Sequence, residues 1–247
     1  MALQDYQTAI VTGASSGIGA AVVRAFSAAG LKVHAVARRQ DRLEALAAET
    51  GCIPHVLDLR DQDALYRILG GIDADVLVNN AGLGRGFEDF SATPAEDINV
   101  TIQVNVLAAL HVVRACVNGM KERKRGHIFN IGSVAGLYPV NSTVYGASKG
   151  AVHLMSQNLR VELAGSGIRV TEICPGRIET EFFETAFDDP EAKKNFTLGF
   201  EIMQPEDISD AIMYAVSAPW RVNVSLIEMT PTEQHLGGGT VTPVTGR

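Results

Sequence analysis

A chain of 247 residues, 46% apolar and 20% charged, is long enough to bury one sizeable core and reads as a single globular domain over residues 1–247. Its formal net charge of −7 argues against nucleic acid as a partner, and no uninterrupted apolar run approaches the ~20 residues of a membrane span. Cys52, Cys116 and Cys174, odd in number and without a C-x-x-C pair, fit reduced thiols in a cytoplasm, and the unclustered histidines predict no metal site.

Residues 8–11 read as a short strand, T-G-A-S-S-G-I-G over 12–19 as a turn, and 20–29 as a helix. In that setting Gly13, Gly17 and Gly19 let the backbone turn tightly and approach a pyrophosphate, whose charge meets the helix N-terminus. A second strand over 31–37 ends in Arg38 and Arg39, with no acidic residue before Asp41. Arginine there suits a 2′-phosphate, where Asp or Glu would bind a ribose hydroxyl, so NADP is expected over NAD. Asp41 is placed to neutralise part of that charge.

A helix over 41–49 leads to a third strand, 53–57, ending at Asp58. Asp58 either accepts a hydrogen bond from an adenine amino group or caps the next helix, 61–69. The fourth strand, 75–79, runs into N-N-A-G, where Ala81 and Gly82 let a flat cofactor lie against the backbone and Asn79 can tie strands together. A long helix over 96–124 holds Asn105 in an apolar V-N-V setting, which requires a buried partner or water. The basic run over 121–125 complements the dipole at its end.

The fifth strand, 127–131, delivers Ser133 to the carboxyl edge of a parallel sheet, where ligands gather. In a helix starting at Tyr145 and reaching 163, Tyr145 and Lys149 share a face one turn apart. A free phenol titrates near ~10, and a nearby cation stabilises its phenolate while a fixed hydroxyl such as Ser133 orients the other reactant. A sixth strand, 168–173, ends in C-P-G-R-I-E-T, which brings Thr180 and the backbone around Ile178 beside a nicotinamide; Cys174 reads as a packed thiol. Residues 181–204, with Phe182, Phe183, Phe187, Phe196 and Phe200, form either a substrate lid or a packed aromatic patch. A helix over 205–217, a seventh strand over 222–229 and an irregular tail over 231–247 complete the chain.

T-G-A-S-S-G-I-G, N-N-A-G, Asn105, Ser133, Y-G-A-S-K and P-G-R-I-E-T, in this order, resemble the short-chain dehydrogenase/reductase family across nearly the whole chain. The resemblance implies an α/β Rossmann-type doubly wound seven-stranded parallel sheet flanked by helices. It implies Tyr145 as catalytic acid/base, Ser133 holding the carbonyl or alcohol oxygen, Lys149 on the nicotinamide ribose, and Asn105 holding a water that links Lys149 to solvent. Ser15, Ser16, Ile18, Leu59, Asn79, Pro175 and Gly176 join the implied cofactor contacts.

More narrowly, G-H-I-F-N-I-G-S-V-A-G, R-V-T-E-I-C-P-G and I-E-M-T-P-T-E-Q are similar to the bacterial NADP-dependent 3-hydroxy acid or serine dehydrogenases, a subgroup similar in turn to reductases of small sulfonated aldehydes. The implied substrate is a small polar or acidic carbonyl or alcohol, with Arg85 and Arg177 as candidate anion partners. A reductase of neutral or bulky ketones is the alternative. A non-catalytic NADP-binding sensor would not need the set Ser133, Tyr145, Lys149 and Asn105. Family habit and apolar faces on the helices near 98–124 and 146–163 imply a homo-oligomer, a tetramer ahead of a dimer.

Overall fold

Runs such as Ala9, Ile10, Val11 and Val76, Leu77, Val78 have no polar side to turn to water, so they fold as strands covered on both faces. The protein is described by a computed structural model over residues 3–87, 89–182, 186, 199–237 and 240–244. Its strands are β1 (Thr8–Thr12), β2 (Lys32–Ala37), β3 (Ile53–Val56), β4 (Val76–Asn79), β5 (Gly126–Ile131), β6 (Ile168–Pro175) and β7 (Leu226–Met229). They form one parallel sheet in the order β3-β2-β1-β4-β5-β6-β7. Sheet growth reverses between β1 and β4, opening a crevice at their carboxyl ends.

The helices are α1 (Gly17–Ala28), α2 (Gln40–Thr50), α3 (Gln62–Leu69), α4 (Ala95–Ile102), α5 (Ala109–Arg123), α6 (Val134–Leu137), α7 (Thr143–Glu162) and α8 (Pro205–Ser217). Alternation along the strands splits the core in two. Ala9, Val11, Val76 and Val78 pack with Val22 and Phe26 of α1, Leu43 of α2 and Ile208 and Ile212 of α8. Ile10, Leu77 and Ile128 pack with Leu65 and Leu69 of α3 and Val112 and Met120 of α5. The helical stretch Ala95–Arg123 has 29 residues and by length and composition alone is apolar enough to cross a bilayer. Its Ala108, Val112, Val113 and Cys116 side is instead buried against the sheet.

Several boundaries differ from those expected. Instead of one uniform helix, the stretch between α4 and α5 is a π-helical turn, Gln103–Ala108, around Asn105. α7 begins at Thr143, so Tyr145 lies in its first turn. β7 begins only at Leu226: Val222 N–H donates to Pro219 O in a turn, and the carbonyls of Val222 and Val224 accept from the Arg169 and Thr171 side chains. Most of the expected lid, with Phe183, Phe187 and Phe196, lies outside the described residues. The tail is irregular as expected, yet Pro231 and Gln234 are buried and Gln234 bridges to Val241.

Candidate active site

The cofactor end of the crevice is built around Thr12 at the tip of β1. Its Oγ1 accepts the N–H groups of Asn80 and Ala81, each at 3.0 Å, and donates to Val78 O at 3.4 Å, locking the turn after β4 to β1. Gly13 adopts φ +67°, and a Cβ there would lie 2.8 Å from Asn80 Nδ2 and 2.9 Å from Ala81 Cα. Ser16, the N-cap of α1, makes no side-chain capping bond, and the first turn carries no acidic residue. Its first-turn N–H groups are therefore left uncapped by the helix's own side chains, as an anion site requires.

Arg38 and Arg39 border the same crevice. Arg39 Nε and Nη2 donate to Ser15 Oγ at 3.1 and 3.0 Å, and Nη2 to Ser16 Oγ at 2.7 Å. The carboxylate that meets Arg39 is Glu181, 2.6 Å from Nη1, and it also lies 3.3 Å from Arg42 Nη1. The neutralising partner is thus Glu181, where Asp41 was expected. The Arg39 hydrogen bond holds the Glu181 carboxyl below the usual carboxylate range. Asp58 pairs with Arg60 at 2.6 Å, while α3 is capped by Asp61, which accepts from Ala64 N–H at 3.0 Å. The capping reading of Asp58 is therefore overturned, and Asp58 faces the crevice.

At the other end, Ser133 leaves β5 and caps α6, its Oγ accepting from Ala135 N–H at 3.1 Å. Tyr145 lies beside Ser133, and its ring lies between Phe87 and Phe182, each centroid at 5.3 Å. Lys149 Nζ donates to Ile131 O at 2.8 Å and sits 5.8 Å from the Tyr145 ring centroid. Burial pushes the phenol up to about 12 against the lowering by Ser133. Burial also pulls the Lys149 amine down to about 8, with Cys174 and Glu172 acting to raise it.

Asn105 is buried, and both its N–H groups are engaged: with Leu83 O at 2.9 Å and Ser148 Oγ at 3.0 Å. Its Oδ1 accepts from Leu83 N–H at 2.9 Å. The amide ties the loop after β4 to the π-helical turn and α7.

One cavity of about 940 Å³ brings together every residue expected in the site except Gly19, Asn79 and Asn105. Those three lie behind its wall. Gly19 seats α1 against the glycine turn, where a Cβ would be 2.3 Å from Gly13 O. Asn79 takes the strand-tying role, donating to Ala109 O at 3.1 Å and to Asn130 Oδ1 at 3.2 Å, while Asn80 lines the cavity in its place. Arg85 and Arg177 both border the cavity; Arg177 is buried and lies 5.5 Å from the Phe200 ring centroid. Phe87 and Gln234 also line it without having been singled out, because only long-range packing brings them there.

The cradle fits a dinucleotide. Gly13, Gly82 and the open first turn of α1 leave room for it against the backbone, and Arg38 and Arg39 bring positive charge to the same cavity. Three comparisons with known proteins agree. A 3-hydroxy acid dehydrogenase of Escherichia coli, named as NADP-dependent, is 40% identical over 240 residues, covering 93% of this chain and 96% of its own length. A serine 3-dehydrogenase of Rhizobium radiobacter is 36% identical, covering 94% of this chain and 96% of its own. The solved closed form of a serine dehydrogenase complexed with NADP+ has a TM-score of 0.89 and 38% identity, covering 96% of this chain and all of that one. Residues 7–191, from the strand before the glycine turn to beyond Thr180, match the family model described as short chain dehydrogenase, and the chain belongs to that family.

Proposed function

We propose that this protein is an NADP-dependent oxidoreductase that moves a hydride reversibly between the nicotinamide and a small 3-hydroxy acid or its carbonyl form. The observation that carries this is one cavity with Ser133, Tyr145 and Lys149 at its reactive end and the glycine turn with Arg38 and Arg39 at the other. The dinucleotide, when bound, supplies or accepts the hydride. In carbonyl reduction, Ser133 and Tyr145 hold the carbonyl oxygen and the phenol gives it a proton as the carbon takes the hydride. In alcohol oxidation the proton returns to Tyr145. Lys149 supplies the positive charge that stabilises the phenolate left after proton transfer. Asn105 acts as a positioning residue for Leu83 and α7.

Arg85 and Arg177 on the cavity wall support an acidic substrate, as do the names of the two curated relatives. The buried, unbridged Cys52, Cys116 and Cys174 support a reducing compartment such as the cytoplasm. A homo-oligomer is supported by an exposed stripe on α7, Ala147, Ala151, Leu154 and Val161, with Leu107 exposed in the π-helical turn and Leu110 at the start of α5. A tetramer is favoured, and sedimentation distinguishes it from a dimer.

The test is NADPH consumption across semialdehydes, sulfonated aldehydes and neutral ketones, with NADP+ reduction by 3-hydroxy acids, on wild type and Tyr145→Phe. Turnover of acidic compounds is expected to lead and to fall at least about 100-fold in the variant, with NADPH affinity retained. Preference for bulky neutral ketones defeats the substrate class; full turnover in Tyr145→Phe defeats the acid.

A further inference from the structure

Beyond the residues assigned above, the C-terminal segment supplies a wall of the site. Gln234 N–H donates to Pro231 O at 3.0 Å, and the segment folds on itself through the bridge between Gln234 and Val241. Glu233 accepts from Glu201 N–H at 3.0 Å, tying the segment to the chain that enters α8. The Gln234 side chain is 7% exposed and lies across Gly176: a Cβ there would be 2.6 Å from Oε1 and 2.7 Å from Nε2. Only glycine at 176 lets the amide approach this closely. Oε1 accepts Arg177 N–H at 2.9 Å, which sets the orientation of the amide. Nε2 is then a buried donor with no partner among the described residues. Gln234 borders the same cavity as Ser133, Tyr145 and Arg177.

Buried donors are rarely left unpaired, because the lost hydration is not repaid until an acceptor arrives. Here the orphan donor belongs to a residue of the substrate end, next to a buried arginine. We propose that Gln234 is a substrate-recognition residue whose amide N–H donates to the acidic group of the substrate, with Arg177 supplying the charge. This rests on the acidic-substrate reading above. The chemistry it selects is a carboxylate or sulfonate oxygen a short chain length from the reacting carbon. Gln234 sits over the end of β6, beyond β5 and away from β1 and β2, whose ends carry the glycine turn and Arg38 at the phosphate end of the crevice.

The experiment uses the full chain as wild type, Gln234→Glu and Gln234→Met, with 3-hydroxypropionate and its methyl ester as probes. KM, kcat and the Kd for NADPH are measured. Gln234→Glu keeps the volume and the acceptor for Arg177 N–H but removes the donors and adds a like charge. Its KM for the acid is expected to rise about 10- to 100-fold, the size of a hydrogen bond to a charged group. Ester turnover should fall much less, and NADPH affinity should stay within about twofold of wild type. Gln234→Met is expected to raise KM for the acid as well. If Gln234 only braces the Arg177 turn, Gln234→Glu behaves like wild type and Gln234→Met damages acid and ester alike, which overturns the proposal. A wild type that does not distinguish acid from ester overturns the substrate class itself. A wild type that prefers the acid, with that preference intact in both variants, overturns Gln234 alone.

Discussion

Lys149 carries its charge in a place that disfavours charge. Its amine is buried under Gly82 and bonded to one carbonyl, and desolvation pulls it from 10.5 to about 8. A depression of that size is on the order of 3 kcal/mol of lost stability wherever the folded and unfolded states are both protonated. The sign follows from proton counts. Below about 8 both states hold the proton and the penalty is full; between about 8 and 10.5 the unfolded chain holds a proton that the folded one has shed, so stability rises with pH. Lys149→Met removes this dependence. The stability of wild type relative to Lys149→Met should therefore increase across that window, measured by urea denaturation from pH 7 to 10. A constant difference would mean the folded-state amine titrates like a free lysine. Ser133, Tyr145 and Lys149 were legible in the sequence because a four-residue helical spacing and a strand end are local facts. The aromatic walls around the phenol were not, because Phe87 and Phe182 reach Tyr145 from 58 and 37 residues away, as 145 − 87 and 182 − 145 give.

At the level of elements, the strands announced themselves as apolar runs with glycine-rich ends, and all seven lie where expected to within a few residues. Asn105 was recognised as needing a partner, but its polar side chain reads the same in an α-helix as in a π-helical turn. Only the backbone shows the extra residue per turn. Thr12 is a similar case: in sequence it is one β-branched residue before glycine, and in the fold its hydroxyl accepts the backbone N–H groups of both Asn80 and Ala81. Thr12→Val keeps the shape and removes that acceptor. Two half-buried donors left without partners should cost about 1–3 kcal/mol, read from urea denaturation. NADPH binding should weaken with it, since Ala81 and Gly82 line the crevice. Thr12→Ser, which restores the hydroxyl, should recover both. Loss of stability in Thr12→Val with cofactor affinity untouched would show that the turn holds its place by other means.

The whole molecule brings together groups that no local pattern relates. The strand order puts β1 and β6 on opposite sides of the crevice, and the chain leaving β6 folds back over the glycine turn, where Thr180 Cγ2 would touch a Cβ at Gly17 at 3.0 Å. That return carries Glu181 to Arg39, a pair 142 positions apart in sequence. The arginines read in sequence as candidates for a phosphate site; the carboxylate that occupies one of them did not, because its distance in sequence hides it. Glu181 and a cofactor 2′-phosphate are anions competing for one guanidinium, and Glu181 also repels the phosphate. The pair is about two-fifths exposed, so water and salt weaken it and the effect is modest. Glu181→Gln should therefore lower the Kd for NADPH by about 2- to 5-fold at low salt, with the gain shrinking as ionic strength rises. NADH, without the phosphate, should bind the variant as it binds wild type. Fluorescence titration of both dinucleotides reads the two arms. Weaker NADPH binding in Glu181→Gln would mean that Arg39 and Glu181 close over the bound cofactor as a clasp, opposite in sign to the competition argued from their geometry.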